Sequence, residues 1–310
     1  MSAPQKALTD EPSAPGGARR GSTHKVGVVS VNGEETHRGS DTVATEEPLE
    51  LRLVLGGRRF PITVTMRTPG ADFELAVGLL HGEGVLRTRA DVARLSYCTD
   101  PKVDAAQQFN IVNVELASGA APDLRSLERT FVTTSACGVC GKASLEALEL
   151  RGAATVPPGP RLDPAVLVGL PDRLRAAQGL FEVTGGLHAA GIFRPDGELV
   201  VAREDVGRHN AVDKVIGWAL LNDHLPLHDR VLVVSGRASY EILQKALAAG
   251  LPMVVAVSAP SSLAVDLAAR FAMTLIGFLR GDRFNIYTGP DRLLSPEHPN
   301  VRVSPASGGR

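Results

Sequence analysis

The sequence predicts an α/β protein in two parts, a small N-terminal α+β domain and a C-terminal three-layer α/β domain with a mixed sheet. Three observations predict it. From residue 163 onward, short apolar runs alternate with segments of helical period, the pattern of strands layered with helices. Before Val156-Pro-Pro-Gly-Pro160, which reads as a linker, strand-like runs and a helix make a small mixed unit. The 310 residues, 44% of them hydrophobic and 22% charged, supply enough apolar side chains for two modest cores.

The elements follow in order. Residues 1–24 are rich in Pro, Gly, Ser and charge and read as a disordered tail, because they cannot bury enough apolar area to offset ordering. The stretch Gly16-Gly-Ala-Arg-Arg-Gly-Ser22 is superficially like a phosphate loop but lacks the lysine and a flanking strand and helix. Residues 25–155 form the N-terminal domain: a strand at Lys25–Val31, a hairpin Leu49–Leu55 and Phe60–Met66 about Gly56-Gly57, a helix over 71–81, and a strand at Phe109–Leu116.

Residues 156–310 form the second domain. Asp163 is placed to cap a helix reaching about Gln178, and His188–Phe193 and Glu198–Ala202 form a hairpin turned by Pro195-Asp-Gly197. Helices at 209–221, 239–249 and 262–271 then alternate with strands at 231–234, 253–257 and 274–278. Leu243, Ala246 and Leu247, and Leu263, Leu267 and Phe271, recur at helical spacing and read as core, as does Trp218.

The bulk numbers restrict function. A formal net charge of −1 argues against a protein that blankets nucleic acid, and no apolar stretch is long enough to span a bilayer, so neither nucleic acid nor membrane is an expected partner. Three cysteines, one of them the isolated Cys98, do not make a disulfide framework, which places the chain in the reducing cytoplasm.

Chemistry is concentrated in two places. Cys137 and Cys140 lie in Thr133-Thr-Ser-Ala-Cys-Gly-Val-Cys-Gly-Lys142, just ahead of the helix-like run 143–150. A helix N-terminus and a nearby lysine favour thiolate, leaving open a redox dithiol, half of a zinc site or a sulfur-handling nucleophile. Zinc would need further ligands, and His188, His209 and Cys98 are scattered without a recommending spacing. The second place is the sheet edge where Ser235-Gly-Arg-Ala-Ser239, Ser258-Ala-Pro-Ser-Ser262 and Phe278-Leu-Arg-Gly-Asp-Arg283 end three successive parallel strands. Such loops share one crevice in open α/β sheets, and Ser235, Arg237, Arg280 and Arg283 with free helix N-termini suit a phosphorylated ligand. The polar turn Glu204-Asp-Val-Gly-Arg-His-Asn210 is read as part of that site.

The order of elements after the linker resembles that of the cytidine-deaminase fold, but the places of its H-x-E and P-C-x-x-C motifs hold His209-Asn-Ala211 and Ser235-Gly-Arg-Ala-Ser239. The catalytic glutamate and both cysteine ligands are missing, which argues against deaminase chemistry even with the fold retained. A thioredoxin-type dithiol would follow the first strand of a compact unit, whereas this C-x-x-C lies deep in the chain.

Several stretches together resemble the FdhD/NarQ family, the sulfur-carrier accessory proteins of formate dehydrogenase. They are Thr134–Gly141 around the cysteines, Thr184–Ala190, Glu204–Lys214, Ser235–Lys245, Val257–Val265, and Phe278–Arg283 followed by Tyr287-Thr288. The likeness runs from about residue 25 to the C-terminus. It implies a cytoplasmic sulfurtransferase that takes sulfur from a cysteine desulfurase as a persulfide and passes it to the molybdenum cofactor, in its bis(molybdopterin guanine dinucleotide) form, before insertion into formate dehydrogenase. It further implies a homodimer with no permanent cofactor and no metal.

On this resemblance Cys137 bears the persulfide and Cys140 assists or resolves it. Phe278, Leu279, Arg280, Gly281, Asp282 and Arg283 match the family's cofactor-binding stretch, and His188 and His209 match family histidines of scaffold or ligand-contact type. The rival reading is a non-catalytic molybdenum-cofactor chaperone whose C-x-x-C is structural or metal-bound. Cys98 has no partner in the pattern and reads as an inert thiol.

Overall fold

The protein's structure is a computed structural model that describes residues 9–10, 21–117, 145–146, 148–149 and 154–293. Strands β1 (Thr9–Asp10), β4 (Glu47–Leu55), β5 (Arg58–Arg67), β6 (Val92–Tyr97) and β7 (Ile111–Leu116) make one sheet in the order β1-β6-β7-β4-β5. Within the segment read as a tail, Thr9 and Asp10 pair parallel with Leu95 and Ser96. Strands β2 (Thr23–Asn32) and β3 (Glu35–Ala44) form a separate two-stranded ribbon, of which only the first strand was expected. The β4–β5 hairpin turns where predicted, on Gly56 (φ 53) and Gly57 (φ 79), a backbone that only glycine adopts at both central positions without strain.

Helix α1 (Asp72–Gly82) covers one face of this sheet, and Leu49, Leu51 and Leu53 alternate inward to meet its Leu75 and Leu80. Its start is held by a buried ion pair, Arg67 Nε to Asp72 Oδ1 at 3.0 Å. Tyr97 Oη donates to the other carboxylate oxygen at 3.1 Å, and Arg67 Nη2 donates to Asn110 Oδ1 at 3.0 Å. The short helix α2 (Ala105–Gln108) leads into β7.

The second sheet has the order β13-β12-β11-β10-β8-β9, from β8 (His188–Phe193), β9 (Leu199–Asp205), β10 (Val231–Val234), β11 (Met253–Ala256), β12 (Thr274–Arg280) and β13 (Arg283–Thr288). The central strands β10, β11 and β12 are parallel, as expected, and β8 and β13 flank them antiparallel. Every residue of β10 and β11 is buried, which is why they read as continuous apolar runs. Helices α6 (Arg208–Leu221), α7 (Tyr240–Ala248) and α8 (Ser262–Arg270) lie on one face, within half a turn or less of their expected bounds. The other face is covered from the segment 162–174, where Leu162, Leu167, Leu170 and Leu174 pack on Phe193 and Ile276.

Three expectations are corrected. The single helix from Asp163 to Gln178 is instead α3 (Pro164–Leu167) and α4 (Leu170–Ala176), followed by α5 (Gly179–Thr184). Asp163 does cap the first, accepting from Ala165 N at 2.8 Å, but Pro171 cannot continue an existing helix and so opens a new one. The strand at 274–278 continues to Arg280 and returns as β13, so 278–283 is a hairpin end rather than an open loop, with Gly281 at φ 57 in the turn. Trp218 is only partly buried, packing on the core edge with its ring stacked 5.0 Å from His224.

The two sheets are joined by α1 and α6, which cross with their backbones in contact. A Cβ placed on Gly78 would stand 1.8 Å from Asp213 O, and one on Gly217 1.8 Å from Glu74 O. Beside this crossing, Asp205 and Lys214 pair at 2.7 Å with both side chains almost wholly buried. Asp205 also accepts from Gly207 N at 2.8 Å, Asn210 Nδ2 at 2.9 Å and Thr68 N at 3.2 Å, while Lys214 Nζ donates to Thr68 O at 3.0 Å and Glu204 O at 3.2 Å. The ammonium's three protons and both carboxylate oxygens are thereby used, as a buried pair requires. Arg203 adds a bidentate bridge to Glu74 at 2.6 and 2.7 Å.

Gly217→Ala is expected to cost about 3 kcal/mol or more, because the new methyl must push two backbones apart. Gly27→Ala, where a Cβ meets nothing within 4 Å, serves as the control and stays within about 0.5 kcal/mol. Urea denaturation of both variants checks this, and equal midpoints would contradict the close crossing.

Candidate functional site

The carboxyl ends of β10, β11 and β12 form one rim, and their loops are stitched together by main-chain bonds. Ala238 N donates to Ala259 O at 3.2 Å, Ser261 N to Ala238 O at 3.0 Å and Phe278 N to Ser258 O at 3.1 Å. Ser235, a predicted site residue, uses its Oγ to accept from Ala189 N at 2.9 Å, tying β10 to β8. Arg237 is exposed on the same loop.

The 278–283 stretch divides into three parts. Phe278 is 43% exposed and sits at φ 56, a left-handed backbone that costs a bulky residue energy and is held there by its bond to Ser258. Leu279 is fully buried in the core beside Ile276, so its part is to anchor the hairpin. Arg280, Gly281, Asp282 and Arg283 are exposed at the tip, with Arg280 and Arg283 directly paired across it. The close approach of the 257–261 loop leaves no room for a side chain at Gly277, whose Cβ would fall 2.9 Å from Pro260 Cδ.

The polar turn 204–210 was read as ligand-facing as a whole, and the structure corrects this. Glu204 accepts from Leu180 N at 2.9 Å and Phe181 N at 2.7 Å, satisfying the free amides that open α5. Asp205 and Asn210 face the joint between the sheets. Only Arg208 and His209 reach the rim. His209 Nε2 lies 3.0 Å from both Ser239 Oγ and Glu241 Oε2.

Both rim histidines favour the neutral form. Burial, and then the charge of Arg208, lowers the His188 pKa below its usual value. Burial lowers that of His209 to about 4, outweighing the adjacent Glu241. Gly236 passes over the His188 ring, its built Cβ 3.3 Å from Nδ1.

The cysteine pair Cys137 and Cys140 lies outside the described residues. Cys98 is 3% exposed at the end of β6. Among the described residues, no three His, Cys, Asp or Glu side chains converge as a metal site, and no helix is long and apolar enough to cross a membrane.

Arg208 was not singled out in the sequence, although its place directly after Gly207, at the first position of a long helix, marks it as a residue that can face a ligand.

The His209 shift makes stability depend on pH. Between about pH 6.5 and about 4 the unfolded chain binds a proton that the folded chain does not, so stability falls as pH is lowered through that window. Allowing for partial exposure, the loss is about 2 kcal/mol. Urea midpoints at the two ends of the window should differ less for His209→Gln than for the parent; equal differences would contradict the assignment.

Comparison with known proteins follows the same lines. The model of the FdhD/NarQ family matches residues 44–294. A Streptomyces coelicolor protein named sulfur carrier protein FdhD is 52% identical over 275 residues, covering 87% of this chain and 95% of its own. A Mycolicibacterium paratuberculosis protein of the same name is 53% identical over 258 residues, covering 82% of this chain and 92% of its own. A crystal structure from Desulfotalea psychrophila, described with a formate dehydrogenase accessory role, aligns with TM-score 0.67 over 88% of this chain and 99% of that one; at 24% identity it speaks to the fold alone. With a family model spanning most of the chain and relatives at about half identity over nearly their full lengths, the chain belongs to the FdhD/NarQ family.

Proposed function

We propose that this protein is a sulfur carrier serving formate dehydrogenase, taking sulfur from a cysteine desulfurase onto Cys137 and delivering it to a molybdenum cofactor of the bis(molybdopterin guanine dinucleotide) type held at the rim. The names of its relatives support the carrier role. The observation that carries the substrate assignment is the composition of the rim: an exposed aromatic residue, Phe278, its backbone held left-handed, on the same hairpin as the exposed Arg280 and Arg283. A planar heterocycle can lie on the ring, and forked guanidinium donors match phosphate oxygens. The substrate is cargo, bound for one turnover and released.

Loading is a thiol exchange. Cys137 thiolate attacks the outer sulfur of the donor's persulfide, one S–S bond forms as another breaks, and the donor cysteine leaves as thiolate. No net oxidation occurs. Cys140 can then attack the inner sulfur of the Cys137 persulfide, forming a Cys137–Cys140 disulfide and releasing the outer sulfur as hydrosulfide; a thiol reductant resets the pair. The arginines and the histidines held neutral by burial take no part in the electron count; they bind and orient the acceptor.

Incubation with a cysteine desulfurase and cysteine, followed by intact-mass measurement with and without reductant, tests the carrier step. Wild type should gain one reducible sulfur and Cys137→Ala none; equal gain in both would sink the assignment to Cys137. A protein that binds cofactor but never gains sulfur would favour the chaperone reading. For the rim, Arg280→Gln/Arg283→Gln should weaken binding of guanosine diphosphate by about tenfold or more, measured calorimetrically, with the melting temperature unchanged. Unchanged affinity would remove the hairpin from the site.

A further inference from the structure

His81 lies in the last turn of α1, on the side of that helix turned to α7, and is 7% exposed. Each of its ring nitrogens meets a main-chain carbonyl: Nδ1 stands 2.9 Å from Leu86 O and Nε2 3.2 Å from Ala248 O. The first carbonyl belongs to the segment that follows α1, the second to the last residue of α7. Ala248 O can find no donor in its own helix, because the residue four positions on is Pro252, which lacks an N–H.

A neutral imidazole has one N–H and one lone pair, so it donates to only one of two carbonyls and sets its lone pair against the other. Only the imidazolium, with a proton on each nitrogen, donates to both. One proton therefore decides whether the ring joins the two segments.

The charged groups around the ring come from each element packed on it. Lys245 of α7 pairs with Asp213 of α6 at 2.7 Å, the two side chains 11% and 2% exposed. Glu83, two residues after His81, acts on both members of that pair. The Lys245 chain runs close along α1, so that a Cβ on Gly82 would stand 3.2 Å from its Cγ and its Nζ. Burial lowers the His81 pKa below its usual value; the two carbonyls oppose this, and Lys245 adds to it. The ring is thus neutral at neutral pH and takes its second proton in acid.

We propose that His81 is a proton-operated clasp between α1 and α7. Neutral, it donates through Nδ1 to the nearer carbonyl, Leu86 O, and its Nε2 lone pair leaves the end of α7 unheld. With the second proton it donates to Ala248 O as well and ties that end down. The helix it holds is the one whose other end, about 14 Å away, sets Ser239 and Glu241 against His209. The clasp does not depend on what the rim binds.

Native-state hydrogen exchange of the full-length chain tests it. The reporters are the amides of Ala249, Gly250 and Leu251, which donate to Lys245 O, Leu247 O and Ala246 O at the end of α7. Phe271 and Met273, which close the end of α8 in the same way, are the reference. Protection factors of the reporters, taken as a ratio to the reference so that changes in global stability cancel, should rise about tenfold as the pH is lowered through the His81 titration. His81→Gln should abolish the rise. A ratio that stays flat in the parent, or rises equally in His81→Gln, overturns the proposal. Should the variant fail to fold, nitrogen NMR of the wild-type imidazole gives the second readout. A ring protonated on Nδ1 at neutral pH that gains a proton on Nε2 in acid supports the clasp. A ring that carries its single proton on Nε2, or stays neutral at every pH at which the protein is folded, overturns it.

Discussion

Everything at the rim depends on how closely α1 and α6 approach. With glycine at positions 78 and 217 the two backbones touch, and the Asp205–Lys214 pair locks the same crossing from its side. A buried pair of this kind contributes little net stability against an apolar alternative, but it penalises any arrangement that leaves one charge alone. The helix so fixed is the one whose first turn carries Arg208 and His209. Register at the joint therefore becomes geometry at the site, since a rigid helix transmits its position along its length.

The rim divides its labour accordingly. Ser235, Leu279 and Glu204 hold strands, hairpin and helix in place. Phe278, Arg237, Arg280 and Arg283 are left facing outward. Residues that look alike in the sequence, polar and near a turn, thus fall into two physical classes, those whose oxygens and protons are consumed inside the protein and those whose are not.

This division explains what the sequence could and could not disclose. The buried strands β10 and β11 were legible because being covered on both faces leaves no room for polar residues. Strand β3 was not, since Glu35–Ala44 is exposed almost throughout and carries no apolar alternation. Strand β13 hid a legible signal: Phe284 and Ile286 alternate with exposed positions on an edge strand. The break at Pro171 was also readable from proline alone. The joint could have been suspected from two glycines inside helical runs, which cost helix stability and so imply a close approach, but one chain's pattern does not say against what. Likewise the turn 204–210 announced polar chemistry without saying which residues turn inward.

The central claim is that this turn serves two masters, with Asp205, Asn210 and Lys214 holding the sheets together and Arg208 and His209 turned to the rim. Chemical denaturation of Lys214→Met beside Arg208→Gln tests it most directly. The account predicts a loss of about 3–5 kcal/mol for the first, which strands a buried carboxylate, and less than about 1 kcal/mol for the second. Similar losses for the two, or the reverse order, would contradict it.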